Sequence, residues 1–523
     1  MVASWQTGRV PARTELPHVV IVGGGIAGLA AAFFLRGTGA AVTVLEGSPR
    51  LGGKLAASEV AGIAVDAGAE ALLARRPEGT DLVRAVGLAG QLAQPGTTTA
   101  GIWTRGRLRP LPRRQLMGVP ADLDALASSG ILSASGLASA REDARRPATT
   151  RAGDVSVASY VGARFGAELV DRLVDPLLGG VYAGRSEQLS FEATLPGLAA
   201  ASRRHASLSA AAAAVLDAAV PDPAVPDPAG PGPAAPRPVF VTLTGGLATL
   251  VPAVAAASGA TIRTGAMVRG LARAPAGGWR LTVGSAHAPE QLDADAVVLA
   301  LPPTPASRLL AGVAGAGAAA AGLGEISTAS MAIVTLAYPD AAFPAPPQGS
   351  GYLVPAVDGH SVKAVTFSTV KWPHLRAGRE PVHLVRCSVG RLGEEALLQR
   401  DDGELAALAA ADLAAATGVR GAPVDTRVSR WGGGLPQYTV GHLDRVARIR
   451  ASVAAQPGLA VCGASYDGIG IPACIASARA AADQVIAGLA GWARTATSSS
   501  AWASEPASAA QVPGPSSAEA DAP

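Results

Sequence analysis

HVVIVGGGIAGLAAAFFLRGTGAAVTVLEGSPRLGGK, residues 18–54, is the stretch whose reading decides the fold. His18 to Val22 is a short, β-branched apolar run that reads as a buried strand; Gly23, Gly25 and Gly28 form a G-x-G-x-x-G turn; Ala27 to Leu35 reads as a helix. A second strand, Val42 to Leu45, ends at Glu46, close to where an acidic residue meets a ribose hydroxyl. Glycine in such a turn lets backbone approach a pyrophosphate and lets the helix lie on the strand, while Ile26 and its neighbours offer first-turn N–H groups to the anion. The unit is the opening βαβ of a dinucleotide site.

The rest of the composition narrows the class. A chain of 523 residues, 49% hydrophobic, can bury a large core and is expected to form several domains. Much of the apolar content is alanine, and no run approaches the ~20 strongly apolar residues that a spanning helix needs, so only peripheral membrane contact stays open. A net charge of +3, dispersed along the chain, gives no case for nucleic acid. Cys387, Cys462 and Cys474 lack C-x-x-C spacing; they read as buried thiols in a reducing compartment, with no metal-ligand cluster. The segment before His18 has no apolar signal region, which makes a cytoplasmic protein the default expectation.

Residues 1–16 read as a disordered leader. Val65 to Glu70 continues a strand and turn, and Leu72 to Arg76 leads into a helix. Gly101 to Pro112 reads as a hairpin turning at Arg105-Gly106, Asp122 to Ala138 as short helices, and Arg141 to Gly153 as a loop. Ser156 to Leu178 has helical periodicity, with Pro176, Gly179 and Gly180 marking its end. Residues 206–238, first Ala-rich and then Pro/Asp-rich, read as a flexible surface insertion. Order is expected to return at Val239, with strands at Thr261–Arg263, Met267–Ala272, Trp279–Val283 and Asp295–Leu301. Ser330–Ala337, Gly351–Val354, Val362–Ser368 and Val382–Val389 suffice for a mixed sheet; Leu405–Ala416 reads as a helix, Gly432–Leu435 as a turn, Leu459–Gly463 as a strand, and Ile471 as the start of a helix to about Leu489. The tail beyond Arg494 reads as disordered.

Glu46, Arg50, Gly52 and Gly53 form an E-x-x-x-R-x-G-G run that resembles the flavin-dependent amine oxidase superfamily. Four further segments bring the resemblance to the oxygen-dependent protoporphyrinogen/coproporphyrinogen III oxidase family: DPLLGGVYAG at 175–184 followed by Leu189-Ser190; KWPH at 371–374; Arg430-Trp431 with Pro436-Gln437-Tyr438 and Gly441-His442; and GASYDGIGIP at 463–472. The KWPH segment and Ala74-Arg75-Arg76 are similar to the bacterial branch that acts on coproporphyrinogen III. The resemblance covers about residues 18–490, apart from the Pro-rich insertion.

It implies an α/β fold: a Rossmann-like FAD-binding domain of amine-oxidase type built from 17–75, 239–310 and 456–492, a substrate side from 76–205 (the inserted helical domain) and 311–455 (the mixed sheet), with 206–238 and 493–523 disordered. The cofactor implied is FAD, held by Gly23, Gly25, Ile26, Ala27, Gly28, Glu46, Arg50, Gly52, Gly53, Lys54, Gly68, Val268, Trp431, Gly463, Asp467, Gly468, Gly470 and Ile471. The partners implied are a porphyrinogen and O2, with handover of product to a ferrochelatase and a monomer or homodimer as the working state. Coproporphyrinogen carries four propionates, so Arg75, Arg76, Lys371 and also Arg109 are the expected cationic donors, with Gly180, Tyr182 and Tyr438 lining the cavity. FAD carries the chemistry, and His374 and His442 are the weak candidates for a base. Two departures from the family pattern stand out: Glu70, whose carboxylate would repel a propionate unless it turns away or is paired, and Ala473 in place of an aspartate. Protoporphyrinogen IX is the alternative substrate. A flavin amine oxidase or carotenoid desaturase is a more distant reading, and an FAD-bound scaffold without turnover is the reading outside enzymology.

Overall fold

The computed structural model describes residues 16–147, 153–218, 238–376 and 381–501. Nearly all of the expected leader, the Pro-rich tract at 219–237 and the tail beyond 501 lie outside the described residues.

At the centre is a parallel sheet in the order Thr261–Arg263, Ala41–Leu45, His18–Val22, Ala296–Leu299, Leu459–Val461. Its strands read as continuous apolar runs because both faces are covered. Val19 and Ile21 face a core with Phe33, Val254 and Ile475, whereas Val20 and Val22 face one with Trp279, Leu310 and Ile449. The helix Ile26–Leu35 follows the glycine turn and packs beneath the long C-terminal helix Ile471–Ala501. An antiparallel meander of Val268–Arg273, Trp279–Gly284 and Pro289–Ala294 covers the other side.

The second sheet has seven strands, in the order Asp425–Pro436, Thr328–Pro339, Val382–Val389, Val362–Phe367, Gly351–Leu353, Gly101–Thr104, Arg107–Pro110. It is antiparallel except where Gly351–Leu353 lies parallel to Gly101–Thr104. The Arg105-Gly106 turn has φ 52° and 67°, the doubly left-handed geometry of a tight hairpin. Helix Asp402–Thr417 closes this core, started by a capping box between Asp401 and Glu404. The expected turn at Gly432–Leu435 is instead strand: Asp425–Pro436 runs through it, and a bulge near Met331 absorbs the glycines, with Gly433 N–H donating to Ser330 Oγ.

The helical part departs from the sequence expectation in three places. Val157–Phe165 breaks at Gly166 (φ 90°), and after a wide turn at Val170–Val174 a last segment, Asp175–Tyr182, takes in Gly179 and Gly180. Pro176 therefore starts that segment, where a missing N–H costs nothing, and the stop comes at Ala183 in left-handed geometry. The Ala-rich half of the expected insertion is helix Leu208–Ala218, since Leu208, Ala211 and Ala212 form a stripe on the helical core. The C-terminal helix continues to Ala501, past the expected start of the disordered tail, in Ala- and Ser-rich sequence.

Asp143 holds the helical part together. Its buried carboxylate accepts Arg164 Nε–H at 2.6 Å and the N–H groups of Leu208 and Ser209 at 3.1 and 2.9 Å. Asp143→Ala would uncap one helix and take the carboxylate away from a guanidinium that is 2% exposed and otherwise bonded to backbone carbonyls, and the expected cost is about 3–5 kcal/mol. Denaturant unfolding followed by circular dichroism checks it; a loss under 1 kcal/mol would contradict the assignment.

Candidate active site

The glycine turn is built by backbone contact. A Cβ on Gly28 would run into Gly23 O, and one on Gly23 into Ala300 O, far inside contact distance. On Gly24 it would meet Leu51 at 2.6 Å. Gly25 is the exception: its φ of −72° suits any residue, and a Cβ there would meet nothing within 4 Å. That space lies at the start of helix Ile26–Leu35, where no side chain caps the first turn. Free N–H groups facing an open cradle fit a pyrophosphate.

Three more segments close around this turn. Gly52 N–H donates to Gly24 O at 2.8 Å. Glu46 accepts from Gly24 N–H at 2.7 Å and Ser48 N–H at 2.8 Å, which fixes the carboxylate beside the loop. Ala266 N–H donates to Glu46 O, and Met267 packs on Gly47, so Val268 stands next to the Glu46 end. Gly463 (φ 121°) faces Ala27, whose Cβ would lie 3.9 Å from a Cβ placed there, and its N–H donates to Ser477 Oγ at 3.1 Å. A Cβ on Gly468 would meet Ala473 Cβ at 2.8 Å, and Gly470 O accepts Cys474 N–H at the start of the C-terminal helix, leaving Ile471 in its first turn.

Lys54, Gly68 and Trp431 form the next group. Trp431 Nε1–H donates to Ala67 O at 3.1 Å, and Gly68 is pressed between Lys54 O and the indole. The Arg50 guanidinium lies 5.9 Å from the same indole. The Lys54 side chain keeps an exposed surface although protein surrounds it on most sides. Burial holds its ammonium below the ordinary lysine value, partly offset by the Cys474 thiol nearby. The Asp467 carboxylate, part-exposed, pairs with Arg450.

The residues expected to meet substrate fall into two groups. Tyr182 and Tyr438 are buried with ring centroids 5.7 Å apart, and Gly180 packs on Leu353. Arg75, Arg76 and Lys371 share a second neighbourhood: Ala74 is hydrogen-bonded to Val239, and Lys371 sits 5.9 Å from the Phe240 ring. Arg75 is exposed there, but Arg76 pairs with Glu78 at 2.6 Å and Lys371 with Glu70 at 2.9 Å, so neither is an uncommitted donor. Arg109 lies on the edge strand against Gly130.

Glu70 is thus paired, and twice: Arg386 also reaches it, at 2.5 Å, and donates to Gly68 O. Burial alone would raise the Glu70 carboxyl, but Lys371 and Arg386 outweigh it and hold the group down at about 2. Arg386 escaped the sequence reading. Its signal was a charge inside the apolar strand Val382–Val389. Asp66 was also missed; it accepts from Leu247 and Ala248 N–H, and burial pushes it up to about 6 against those bonds.

The two candidate histidines stand in different settings. His374 borders a small cavity with Asp66, Glu70, Trp372 and Arg386, and burial lowers its pKa. His442 is fully buried, pushed down to about 4 by desolvation, and its Nε2 bonds Tyr466 O, which can only accept. All three cysteines are buried thiols.

Residues 26–486 match the family model described as flavin containing amine oxidoreductase. The chain is 39% identical over 474 residues, 90% of its length and 97% of the relative's, to a coproporphyrinogen III oxidase of Mycobacterium bovis. It is 31% identical to a protoporphyrinogen oxidase of Bos taurus, over 90% of this chain and 98% of that one. A solved structure from Exiguobacterium sp. 255-15, provisionally named a protoporphyrinogen oxidase, superposes with a TM-score of 0.77 at 30% identity, covering 91% of this chain and 99% of its own.

Two outcomes test the site. Gly25→Val should give a folded protein that loses its flavin, because the new side chain fills open cradle, whereas Gly28→Val should unfold, because it meets backbone; visible absorbance and circular dichroism separate the two. Glu70 has a folded pKa of about 2 against an unfolded value near 4.5. Its stabilisation is complete above the unfolded value and is lost as pH falls from about 4.5 towards about 2, a few kcal/mol in all. Denaturant titrations at pH 6 and pH 3 should show it, and Glu70→Gln should lose stability at pH 6 and flatten this part of the pH dependence.

Proposed function

The chain belongs to the flavin containing amine oxidoreductase family, and from that premise we propose that it oxidises coproporphyrinogen III to coproporphyrin III, a six-electron reaction with O2 as final acceptor and hydrogen peroxide as by-product. The observation that carries this is the near full-length likeness, 39% identity over 90% of the chain, to a relative of that name. FAD is the cofactor, and when bound it supplies the hydride acceptor.

The protein's share is to bind, orient and exclude water. Gly23–Gly28, Glu46 and Gly52 would hold the dinucleotide, and the start of the C-terminal helix would offer its positive end to a flavin ring that gains negative charge when reduced. Tyr182 and Tyr438 give the porphyrinogen an aromatic wall. Exposed Arg75 offers a propionate its guanidinium, whereas Lys371 and Arg386 are held by Glu70. On this reading 17–75, 239–310 and 456–492 serve the flavin, and 76–205 with 311–455 serve the substrate.

Protoporphyrinogen IX is the second reading. It has only two propionates, and Arg76 and Lys371, two of the expected donors, are already paired. Among the described residues no helix is long and apolar enough to cross a membrane. The proposal places the enzyme in the cytoplasm, with peripheral membrane contact compatible, as a monomer or homodimer that passes porphyrin to a ferrochelatase.

O2 uptake and porphyrin fluorescence, measured with each porphyrinogen in turn, decide between the two. Coproporphyrinogen III should turn over at least 10-fold faster in kcat/KM, a difference of about 1.4 kcal/mol in transition-state binding; equal rates would sink the assignment.

A further inference from the structure

Tyr438 and His442 carry more than a place in the cavity wall. The Tyr438 hydroxyl donates to Ala464 O at 2.7 Å and accepts from Gly468 N–H at 2.7 Å. The His442 ring stacks on Tyr438, with centroids 3.8 Å apart and planes 14° from parallel, and its Nε2–H donates to Tyr466 O at 3.0 Å. Two side chains from one turn of chain thus hold three backbone groups of the loop 463–470. Both are buried, at 2% and 0% exposure, so water cannot replace these bonds.

The loop's other ties include Gly463 N–H on Ser477 Oγ and the Tyr466 ring buried against the parallel sheet's core. Gly468 has φ 144°, a conformation that side chains rarely adopt, and the Asp467 carboxylate is turned out to Arg450. The clamp itself is anchored. Tyr438 O accepts Ser190 N–H at 2.7 Å, and the Asp154 carboxylate bonds both Ser190 Oγ and Gly441 N–H. On its far side the Tyr438 ring meets Tyr182.

We propose that Tyr438 and His442 are positioning residues for the flavin: they lock the loop 463–470 in the shape that receives the isoalloxazine, and tie it to the helical part that bears Tyr182. The inference rests on the FAD reading above and assigns neither residue a proton transfer.

The test uses purified holoprotein and apoprotein reconstituted with FAD. Tyr438→Phe keeps the ring and removes only the hydroxyl; FAD affinity, followed by flavin fluorescence, should fall about 10-fold, because two hydrogen bonds are lost and Ala464 O and Gly468 N–H are left unpaired. The flavin midpoint potential should shift, and the Gly468 amide should exchange hydrogen faster in the holoprotein. His442→Leu should do the same, and His442→Gln, whose amide can reach Tyr466 O, should restore most of the affinity. Wild-type affinity and potential in Tyr438→Phe would overturn the proposal. So would a lower apoprotein melting temperature with unchanged affinity and potential, or a His442→Gln no better than His442→Leu. A wild-type apoprotein that takes up no FAD would instead refute the cofactor reading itself.

Discussion

The structure depends on one close approach of backbone to backbone, where helix Ile26–Leu35 crosses the strand before it. Gly28 lies on Gly23 O and Gly23 on Ala300 O with no room for a side chain at either. That crossing sets the height of the helix over the sheet, and so the place where its free N–H groups point. Everything else at the site is referred to it: Gly52 bonds Gly24, Glu46 bonds Gly24, and Gly463 faces Ala27. The site is discontinuous in sequence because the sheet is, its five strands coming from residues 18–45, 261–299 and 459–461.

Around this rigid centre the polar groups are arranged by mutual satisfaction more than by direct service to a ligand. Glu70 draws in Lys371 and Arg386, Asp66 caps Leu247 and Ala248, and Asp143 holds Arg164. Each keeps a buried charge compensated, since a lone one in such a setting costs several kcal/mol. A cation near a substrate cavity is therefore not automatically a substrate ligand. Arg76 and Lys371 show why: their nearest acids lie within the protein.

The glycine turn, the hairpin and the short apolar strands were legible because their signals are local. His18–Val22, the Arg105-Gly106 hairpin and Val382–Val389 appear where their residues predict. What escaped was decided by distant partners. Leu208–Ala218 is helix because Asp143, far away in sequence, caps it and the helical core covers its stripe. Gly432–Leu435 stays in a strand because Thr328–Pro339 lies alongside. At the site the loop sequences announced the cofactor cradle, but ion pairing did not show: Glu70 and Arg386 are 316 residues apart, and no periodicity relates them. The helix His442–Ala454 was likewise absent from the sequence reading, although His442 itself stood out.

The order of the central sheet also bears on how the protein is made. His18–Val22 has Ala296–Leu299 as its neighbour on one side, whose own outer partner is Leu459–Val461. Ala296–Leu299 lacks that partner until Leu459–Val461 has been made, and the Ile26–Leu35 helix waits for the C-terminal helix that covers it. Pairings this distant pay their loop-closure entropy before any contact rewards them, and nascent chains in that state are prone to stick to one another. Loss of the segment from Leu459 onward would therefore take away a strand of the central sheet together with the loop 463–470 that follows it.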